Sequence, residues 1–326
     1  MTSECSSSLR KTTNGKLRRI RSAVAGAVLI TTLAIGGATV GGEPAAAGVP
    51  SPVSMYAPFV YLAPGERFTP MDPGSFVAQS SLSWARDQGC PDDVVAARGT
   101  IDAGRLGSGG YRHQISNAVC IRHGVQHRSD ELTRPRQGGK HGVPEGEGFF
   151  LNLPNTLRGG QGTGVPVYYE YSPRNYVTYW FFYAFNDAPR PTNMFDHEGD
   201  WERISVRLDA HDHAVTVAYF EHDGYCTRPW REAGKHNGHP LAYSARGTHA
   251  TYPWAGTFPI AHRLATDTTG RGAGWPTYRH LANARTQGWF GYGGAWGEVG
   301  EGSDSTGPLG PSVFKGAVPP TWSRPC

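Results

Sequence analysis

The sequence predicts an all-β protein, an antiparallel β-sandwich with long ordered loops. It contains 44 Gly and 25 Pro among 326 residues, with 11% aromatic and only 18% charged residues. Such a composition is typical of turns and aromatic strands rather than of helices. Beyond Phe149, short aromatic and β-branched runs follow one another without an intervening helical period. This pattern favours antiparallel strands over βαβ units.

Residues 1–47 are typical of an export signal. Six Arg and Lys residues precede an apolar stretch, Ala23 to Val40, and Ala45-Ala46-Ala47 forms a small-residue cleavage site. This order predicts a signal peptide at 1–47 and a secreted, single β-sandwich domain at 48–326. An uncleaved N-terminal anchor is the alternative, and Arg18-Arg19 leaves both the general and the twin-arginine export routes open.

The predicted mature domain has no net charge. Residues 1–47 hold six of the 31 Lys and Arg residues and two of the 27 Asp and Glu residues, so 25 of each remain. A general nucleic-acid binder needs a positive field to displace counterions, so we expect no nucleic-acid partner. Past the signal, no apolar run approaches the roughly 18 residues of a membrane-spanning helix, so we expect no transmembrane segment there.

Four cysteines remain after the predicted cleavage: Cys90, Cys120, Cys226 and Cys326. An even number of cysteines in an oxidising compartment indicates structural disulfides. Three pairings are open, and we favour Cys90–Cys120 with Cys226–Cys326. The second bond would fix the last residue of the chain to a mid-chain loop.

The elements follow in chain order. A β-type run, Tyr56–Leu62, stops at Pro64-Gly65, and a helix is expected near Gly74–Arg86 within a mostly irregular stretch. The basic segment from Arg112 to His141 is interpreted as a solvated loop, with contact to an anionic head group as the alternative. The tail from Gly288 is expected to be ordered loop. The remaining strands, each bounded by Gly, Pro, Asn or Asp, are predicted at Val165–Tyr171, Tyr176–Phe185, Trp201–Leu208, Ala214–Glu221 and Pro240–Ala245.

The densest group of polar residues lies between two predicted strands, from Asp187 to Glu202. Asp200 and Glu202 are two residues apart, so in a strand they share a face, here the apolar inward one. Two ionised carboxylates there repel each other and lose hydration unless a cation joins them. Asp187 ends the preceding strand, His197 is placed on the short loop, and His249 follows a later strand. These residues suit a site for Mg²⁺, Mn²⁺ or Ca²⁺.

An ion pair explains the same carboxylates without a metal. Asp200 or Glu202 would then bind Arg203, Arg207 or Arg246. Spacing alone does not choose between the two interpretations. The sequence contains no nucleophile elbow, Walker loop, dinucleotide fingerprint or His-Glu-x-x-His motif, so the common catalytic patterns do not apply.

Five segments in this order resemble the vacuolar protein sorting-associated protein 62 family. His-Glu-Gly-Asp-Trp-Glu is the most specific of them, and the closing Gly-Ala-Trp-Gly motif around Trp296 fits as well. The resemblance covers nearly the whole predicted mature chain but implies little mechanism. The segments are Phe59–Pro70, Gly148–Pro154, Tyr179–Asn186, His197–Glu202 and Ala245–Tyr252.

A more distant similarity is to the necrosis- and ethylene-inducing peptide-like proteins. These are secreted β-sandwich cytolysins, related in fold to actinoporins, with a divalent cation at the rim that engages glycosylated sphingolipid head groups. The resemblance implies a metal shell of Asp187, His197, Asp200 and Glu202, with His249 as a further polar member. The chain departs from that family at Gly199, where the family's central motif has its second His.

Three functions remain in competition. The leading one is a secreted metal-dependent binding protein that recognises membrane lipid head groups or glycans, as sandwich cytolysins do, without turnover. The first alternative is an extracellular metal-dependent hydrolase of a phosphoester or glycoside, with His197 or His249 as general acid or base. The second is a structural cell-envelope protein whose ion stabilises loops.

Overall fold

The protein is all-β, as predicted, with several mostly antiparallel sheets. The computed structural model describes residues 48–85, 92–113, 127–129, 148–190, 195–222, 224–260, 263–300, 305–313 and 316–326. The predicted signal peptide, Cys90, Cys120 and most of the basic segment lie outside these residues. No helix in the described ranges is both long enough and apolar enough to span a membrane.

A six-stranded sheet forms the centre of the molecule and is called the large sheet. Its strand order is β11-β10-β9-β8-β7-β18. Neighbours pair antiparallel except β18, which lies parallel to β7. The strands are β7 (Val167–Ser172), β8 (Tyr176–Asn186), β9 (His197–Leu208), β10 (Ala214–Glu221), β11 (Gly224–Pro229) and β18 (Leu281–Asn283).

A five-stranded sheet supplies the second layer. β1 pairs in parallel with β13 and antiparallel with β17, while β12 and β14 each pair antiparallel with β13. The strands are β1 (Phe59–Leu62), β12 (Lys235–His236), β13 (His239–Ser244), β14 (Thr251–Tyr252) and β17 (Gly274–Pro276). A two-stranded ribbon, β15 (Thr257–Ile260) with β16 (Ala265–Thr268), follows β14 in the chain.

A three-stranded sheet and short helices complete the described elements. β2 (Ser81–Ala85) lies between β3 (Asp93–Ala96) and β6 (Gly148–Asn152). β4 (Arg112–His113) and β5 (His127–Arg128) form a small ribbon. The helices are α1 (Ser51–Tyr56), α2 (Pro73–Gln79) and α3 (Ala103–Gly107). Asp72 and Asp102 cap α2 and α3 by accepting backbone N–H bonds, as N-cap carboxylates do.

The large sheet is buried on both faces, which explains the continuous aromatic sequence of β8. Tyr179 and Phe181 belong to the core shared with Val60 of the five-stranded sheet. Trp180 and Phe182 belong to a second core with β2, β6 and the tryptophans of the C-terminal loops. A strand that is covered on both faces has a continuous apolar sequence, because its odd and its even side chains are both shielded from water.

The N-terminal predictions were partly wrong. Tyr56 ends helix α1 rather than starting a strand, because Pro50 and Pro52 favour a helix start and the strand begins only at Phe59. The helix expected near Gly74–Arg86 ends at Gln79. Ser81–Ala85 forms a strand because it pairs with β6, a partner about 70 residues away that the local sequence cannot reveal.

The central strands were located correctly, with one shift that concerns the site. β9 begins at His197 rather than at Trp201, so His197 starts a strand opposite Asn186 and is not on a loop. The predicted parity is confirmed, since Ile204 joins one core and Trp201 the other. The described part of the tail from Gly288 is mostly loop with isolated bridges, such as that between Phe150 and Ala295.

The Cys226–Cys326 disulfide is confirmed and closes a sequence separation of 100 residues. Backbone hydrogen bonds from Thr227 to Arg324 and from Cys326 to Thr227 continue the attachment of the C-terminus. The last residues therefore lie against β11. The pairing of Cys90 with Cys120 stays a prediction.

Gly199 marks a place where two segments touch through their backbones. It has a φ of +61° within β9, and a Cβ there would lie 1.7 Å from the carbonyl oxygen of Trp296. A side chain at this position is excluded twice, by backbone strain and by overlap. The contact with Trp296 therefore leaves no room for any side chain at position 199.

We expect Gly199→Ala to lower the free energy of unfolding by at least about 2 kcal/mol, as strain and overlap add. The measurement is urea denaturation followed by tryptophan fluorescence. Gly162→Ala is the control, because Gly162 also has a positive φ but open space around it. It should cost only about 1 kcal/mol, and equal losses in the two variants would refute the contact with Trp296.

Candidate functional site

A polar cleft of about 280 Å³ lies where three loops meet at the ends of strands. One loop follows β1, the second follows β8, and the third is the turn between β13 and β14. The outward residues Thr266 and Thr268 of β16 close one side. We call this cleft the arginine pocket, because its lining includes Arg67, Arg190 and Arg246.

His249 lies beneath this pocket, in the turn between β13 and β14. Its side chain is fully buried and its φ is +58°, an uncommon conformation for a residue other than glycine. The turn is closed by hydrogen bonds from the Ala245 amide to the Ala250 carbonyl and from the His249 amide to the Ala245 carbonyl. The ring stacks on Tyr183 of β8, with centroids 3.7 Å apart and planes inclined by 4°.

Both ring nitrogens of His249 are hydrogen-bonded. Nδ1 lies 2.8 Å from Oδ2 of Asp200 in β9, and Nε2 lies 2.9 Å from the carbonyl oxygen of Phe68. Nε2 is also 3.8 Å from Oε1 of Glu66. Two acceptors on opposite sides of the ring require both nitrogens to carry protons, which is the imidazolium form.

Glu66 connects this buried cation to the floor of the pocket. Its carboxylate accepts the backbone N–H groups of Arg67 and Phe68 at 2.8 Å each, and that of Gly247 at 2.7 Å. The Asp187 amide in turn donates to the Gly247 carbonyl. One carboxylate therefore holds the loop after β1 against the turn that carries His249.

The pKa values follow from this arrangement. Burial alone lowers the pKa of His249, but its hydrogen bonds and charge attraction to Asp200 and Glu66 prevail and raise it to about 9. For the Glu66 carboxyl, burial alone raises the pKa. The contacts with His249 and with the backbone donors of Gly247 and Phe68 outweigh burial and bring the pKa below its ordinary value. At neutral pH the site holds an imidazolium between carboxylates.

The arginines of the pocket are weakly engaged. Arg67 and Arg190 reach Asp187 at 3.1 and 3.5 Å, yet their side chains are 75% and 67% exposed. Exposed pairs of this kind contribute little because water screens them. Arg246 is also exposed, and its guanidinium has no hydrogen bond or ion pair to any residue that the structure describes.

The structure brings two of the five predicted ligands into direct contact, Asp200 and His249. Asp187 points into the arginine pocket and pairs with arginines instead. His197 is half-buried, with Nδ1 2.7 Å from the carbonyl oxygen of Gly199. Glu202 is buried beside Asp200 on the same face, opposite Phe181. Burial lowers the pKa of Arg203, and the charge of Glu202 offsets part of that effect.

These residues do not fit the divalent-cation site that the resemblance implies. A protonated imidazole has no lone pair for a metal, and Asp200 already binds that imidazole. In the described ranges, no three His, Cys, Asp or Glu side chains are placed so that they could hold a metal ion. The ion-pair alternative is the closer description, with His249 rather than an arginine as the partner of Asp200.

The same geometry bears on catalysis by His249. A general acid or base must reach the reacting group, whereas this ring is enclosed and both nitrogens are occupied. His197 contacts backbone carbonyls, and no carboxylate among the described residues hydrogen-bonds to its ring to orient it. Neither histidine is arranged as the base of a hydrolase.

Sequence reasoning missed Glu66, Arg67, Arg190 and the pocket role of Arg246. Glu66 and Arg67 lie in the first of the segments that carry the family resemblance, so a signal was present. Nothing local connects Glu66 to Gly247, which is 181 residues away. Only the parallel pairing of β1 with β13 brings the ends of both strands to one place.

A comparison of the chain with protein-family models, curated proteins and solved structures finds no match. The two resemblances drawn from the motifs therefore stay predictions.

We expect the stability of the protein to fall at alkaline pH because of His249. An unfolded His has a pKa near 6.5, and the folded value is about 9. The folded state holds this proton more tightly, so its stabilisation is complete below pH 6.5 and is lost as pH rises through about 9. The free energy of unfolding, measured in urea, should fall by about 3 kcal/mol across this window.

His249→Gln is the matched variant, because it removes the titrating ring. Burial lowers the pKa of Lys235 to about 8, which contributes a trend of opposite sign. That trend is present in both proteins, so the difference between their pH profiles isolates His249. Profiles of equal slope would show that the imidazolium does not stabilise the fold.

Proposed function

We propose that this chain is a secreted binding protein that captures the anionic head group of a glycan or a membrane lipid in the arginine pocket, without chemical turnover. The carrying observation is Arg246, an exposed guanidinium at the pocket with no protein partner in the described chain. Guanidinium groups bind carboxylates, sulfates and phosphates through paired hydrogen bonds. An unpaired guanidinium group in a cleft therefore favours an anionic ligand.

The surrounding groups support this class of ligand. Arg67 and Arg190 share Asp187 through exposed contacts of 3.1 and 3.5 Å, so an anion can recruit them at little cost. The exposed Thr266 and Thr268 border the cleft. Their hydroxyls suit a ligand that carries hydroxyl groups beside its charge. The volume of about 280 Å³ corresponds to one small head group rather than to an extended molecule.

The rigid base beneath the pocket favours binding over catalysis. His249, Asp200 and Glu66 are buried and hydrogen-bonded to one another or to backbone groups, so they fix the pocket loops. Preorganised loops reduce the entropy lost when a ligand binds. Among the described residues of the pocket lining, Glu66 accepts backbone N–H groups and Asp187 pairs with arginines, so both carboxylates are already engaged.

The proposed binding needs no divalent cation, because Asp200 is paired with His249 and Asp187 is paired with arginine. The structure instead provides a positive side chain where the cytolysin analogy would use a metal. A chelator should consequently leave binding intact.

We expect Arg246→Ala to weaken anion binding by at least about tenfold, since hydrogen bonds to charged groups contribute about 1.5–3 kcal/mol. Isothermal titration calorimetry would use galacturonate and inorganic phosphate, with galactose as the neutral probe. Vesicles of phosphatidylserine in phosphatidylcholine would test the lipid source by cosedimentation. Galacturonate binding without vesicle binding would assign the head group to a glycan, and the reverse to a lipid.

Arg98→Ala is the control, because Arg98 is an exposed arginine that does not line the pocket. It should leave every affinity unchanged, and so should a chelator. Failure of all the anions to bind, or equal losses in both variants, would contradict the arginine pocket. Binding that disappears with the chelator would restore the metal-dependent hypothesis.

A further inference from the structure

The outward face of the five-stranded sheet carries a row of aromatic rings. In β1, Val60 and Leu62 point into the core, whereas Phe59 and Tyr61 are partly exposed on the other face. Parallel pairing sets Tyr61 beside Tyr243 of β13. Together with His236 of β12, these residues form what we call the aromatic strip: Phe59, Tyr61, Tyr243 and His236.

The rings of the strip contact one another in sequence. His236 and Phe59 have centroids 4.0 Å apart, Phe59 and Tyr61 5.0 Å, and Tyr61 and Tyr243 5.5 Å. Rings packed in this way restrain each other, so little side-chain entropy is lost when a ligand lies on them. Gly274 of β17 leaves the strip open, because a Cβ there would lie 2.6 Å from the Phe59 ring.

The β15–β16 ribbon covers only the far end of this face. Phe258 of β15 stacks on Tyr252 at 3.9 Å, and the Tyr252 hydroxyl donates to the buried Asp267 of β16. Phe59, Tyr61 and His236 keep partial exposure beyond that cover. Among the described residues, Phe59, Tyr61 and His236 are therefore the accessible part of the strip, whereas Tyr243 is buried.

Arg271 adds a positive charge to the strip. Its guanidinium lies 5.8 Å from the centre of the Tyr61 ring, and its interaction with Tyr243 raises the pKa of Arg271. The side chain is exposed, and no carboxylate among the described residues pairs with it. Like Arg246, it is an exposed guanidinium without an anionic partner in the described part of the chain.

Arg246 and Arg271 are both close to Thr268, which lines the arginine pocket. The Arg246 amide donates to the Thr268 carbonyl at 3.0 Å. Arg271 follows Thr268 by three residues, so their Cα atoms are at most about 11 Å apart. Tyr61 precedes Glu66 of the pocket by five residues on the same segment. The strip and the pocket are therefore neighbours on one surface.

We propose that the aromatic strip extends the arginine pocket into a binding site for a polysaccharide that carries repeated acidic sugars. One acidic sugar occupies the pocket at Arg246, the chain lies across Phe59 and Tyr61, and a further acidic group reaches Arg271. The apolar face of a sugar ring matches an aromatic face, and its acid matches a guanidinium. This inference rests on the proposed function of the pocket and names the ligand class.

The test compares galacturonic acid with its tetramer by isothermal titration calorimetry. The tetramer should bind at least about tenfold more tightly to the wild type, because it also contacts the strip. Tyr61→Ala and Arg271→Ala should each remove most of that gain and leave the affinity for the monomer within about twofold. Arg246→Ala should weaken both ligands.

Val215→Ala is the control for an exposed apolar residue, since Val215 belongs to β10 of the large sheet and not to the aromatic strip. A neutral xylose tetramer should bind weakly, which shows that the acids are needed. Equal affinity for monomer and tetramer would contradict binding at the aromatic strip but not binding in the arginine pocket. Failure of the monomer to bind would contradict the proposed function of the pocket itself. Preferential binding of a single-stranded oligothymidylate would also overturn the inference, because stacked bases and phosphates would then be the ligand.

Discussion

The buried imidazolium of His249 is the interaction on which the candidate site depends. It joins Asp200 of the large sheet to Glu66 and the Phe68 carbonyl in the loop after β1. In a solvent-excluded position each of these charges would be costly alone, and removing one would leave the others unpaired. The network therefore fixes the relative position of two sheets at the place where the pocket forms.

The pocket and the aromatic strip share one structural origin. β1 and β13 run parallel, so the loops that follow these two strands lie at the same end of the sheet. There Glu66 binds the Gly247 amide, and Arg246 emerges beside Thr268. The outward parity of the same strands supplies the rings. The rigid pocket with its guanidinium groups and the adjoining aromatic surface are the basis of the proposed recognition of a charged, hydroxylated ligand.

The role first assigned to the carboxylates changes once their partners are known. Asp200 and Glu202 share an inward face, as their spacing required. A metal was the economical countercharge because two ionised carboxylates on one buried face repel each other and lose hydration. His249 supplies that charge from 49 residues further along the chain. The spacing within one strand thus predicted that two buried carboxylates need a countercharge, but it did not predict which residue supplies that charge.

By itself the sequence determined the all-β class, the positions of the central strands and the parity of β9, and it favoured the Cys226–Cys326 bond among three open pairings. These follow from local periodicity, turn residues and cysteine arithmetic, which are properties of short segments. Tertiary structure alone decided that both faces of the large sheet are buried, that Ser81–Ala85 is a strand, and that Glu66, Asp200 and His249 meet. Each of these depends on contacts between segments far apart in the chain, where the free energy of pairing, burial and charge neutralisation outweighs local preference.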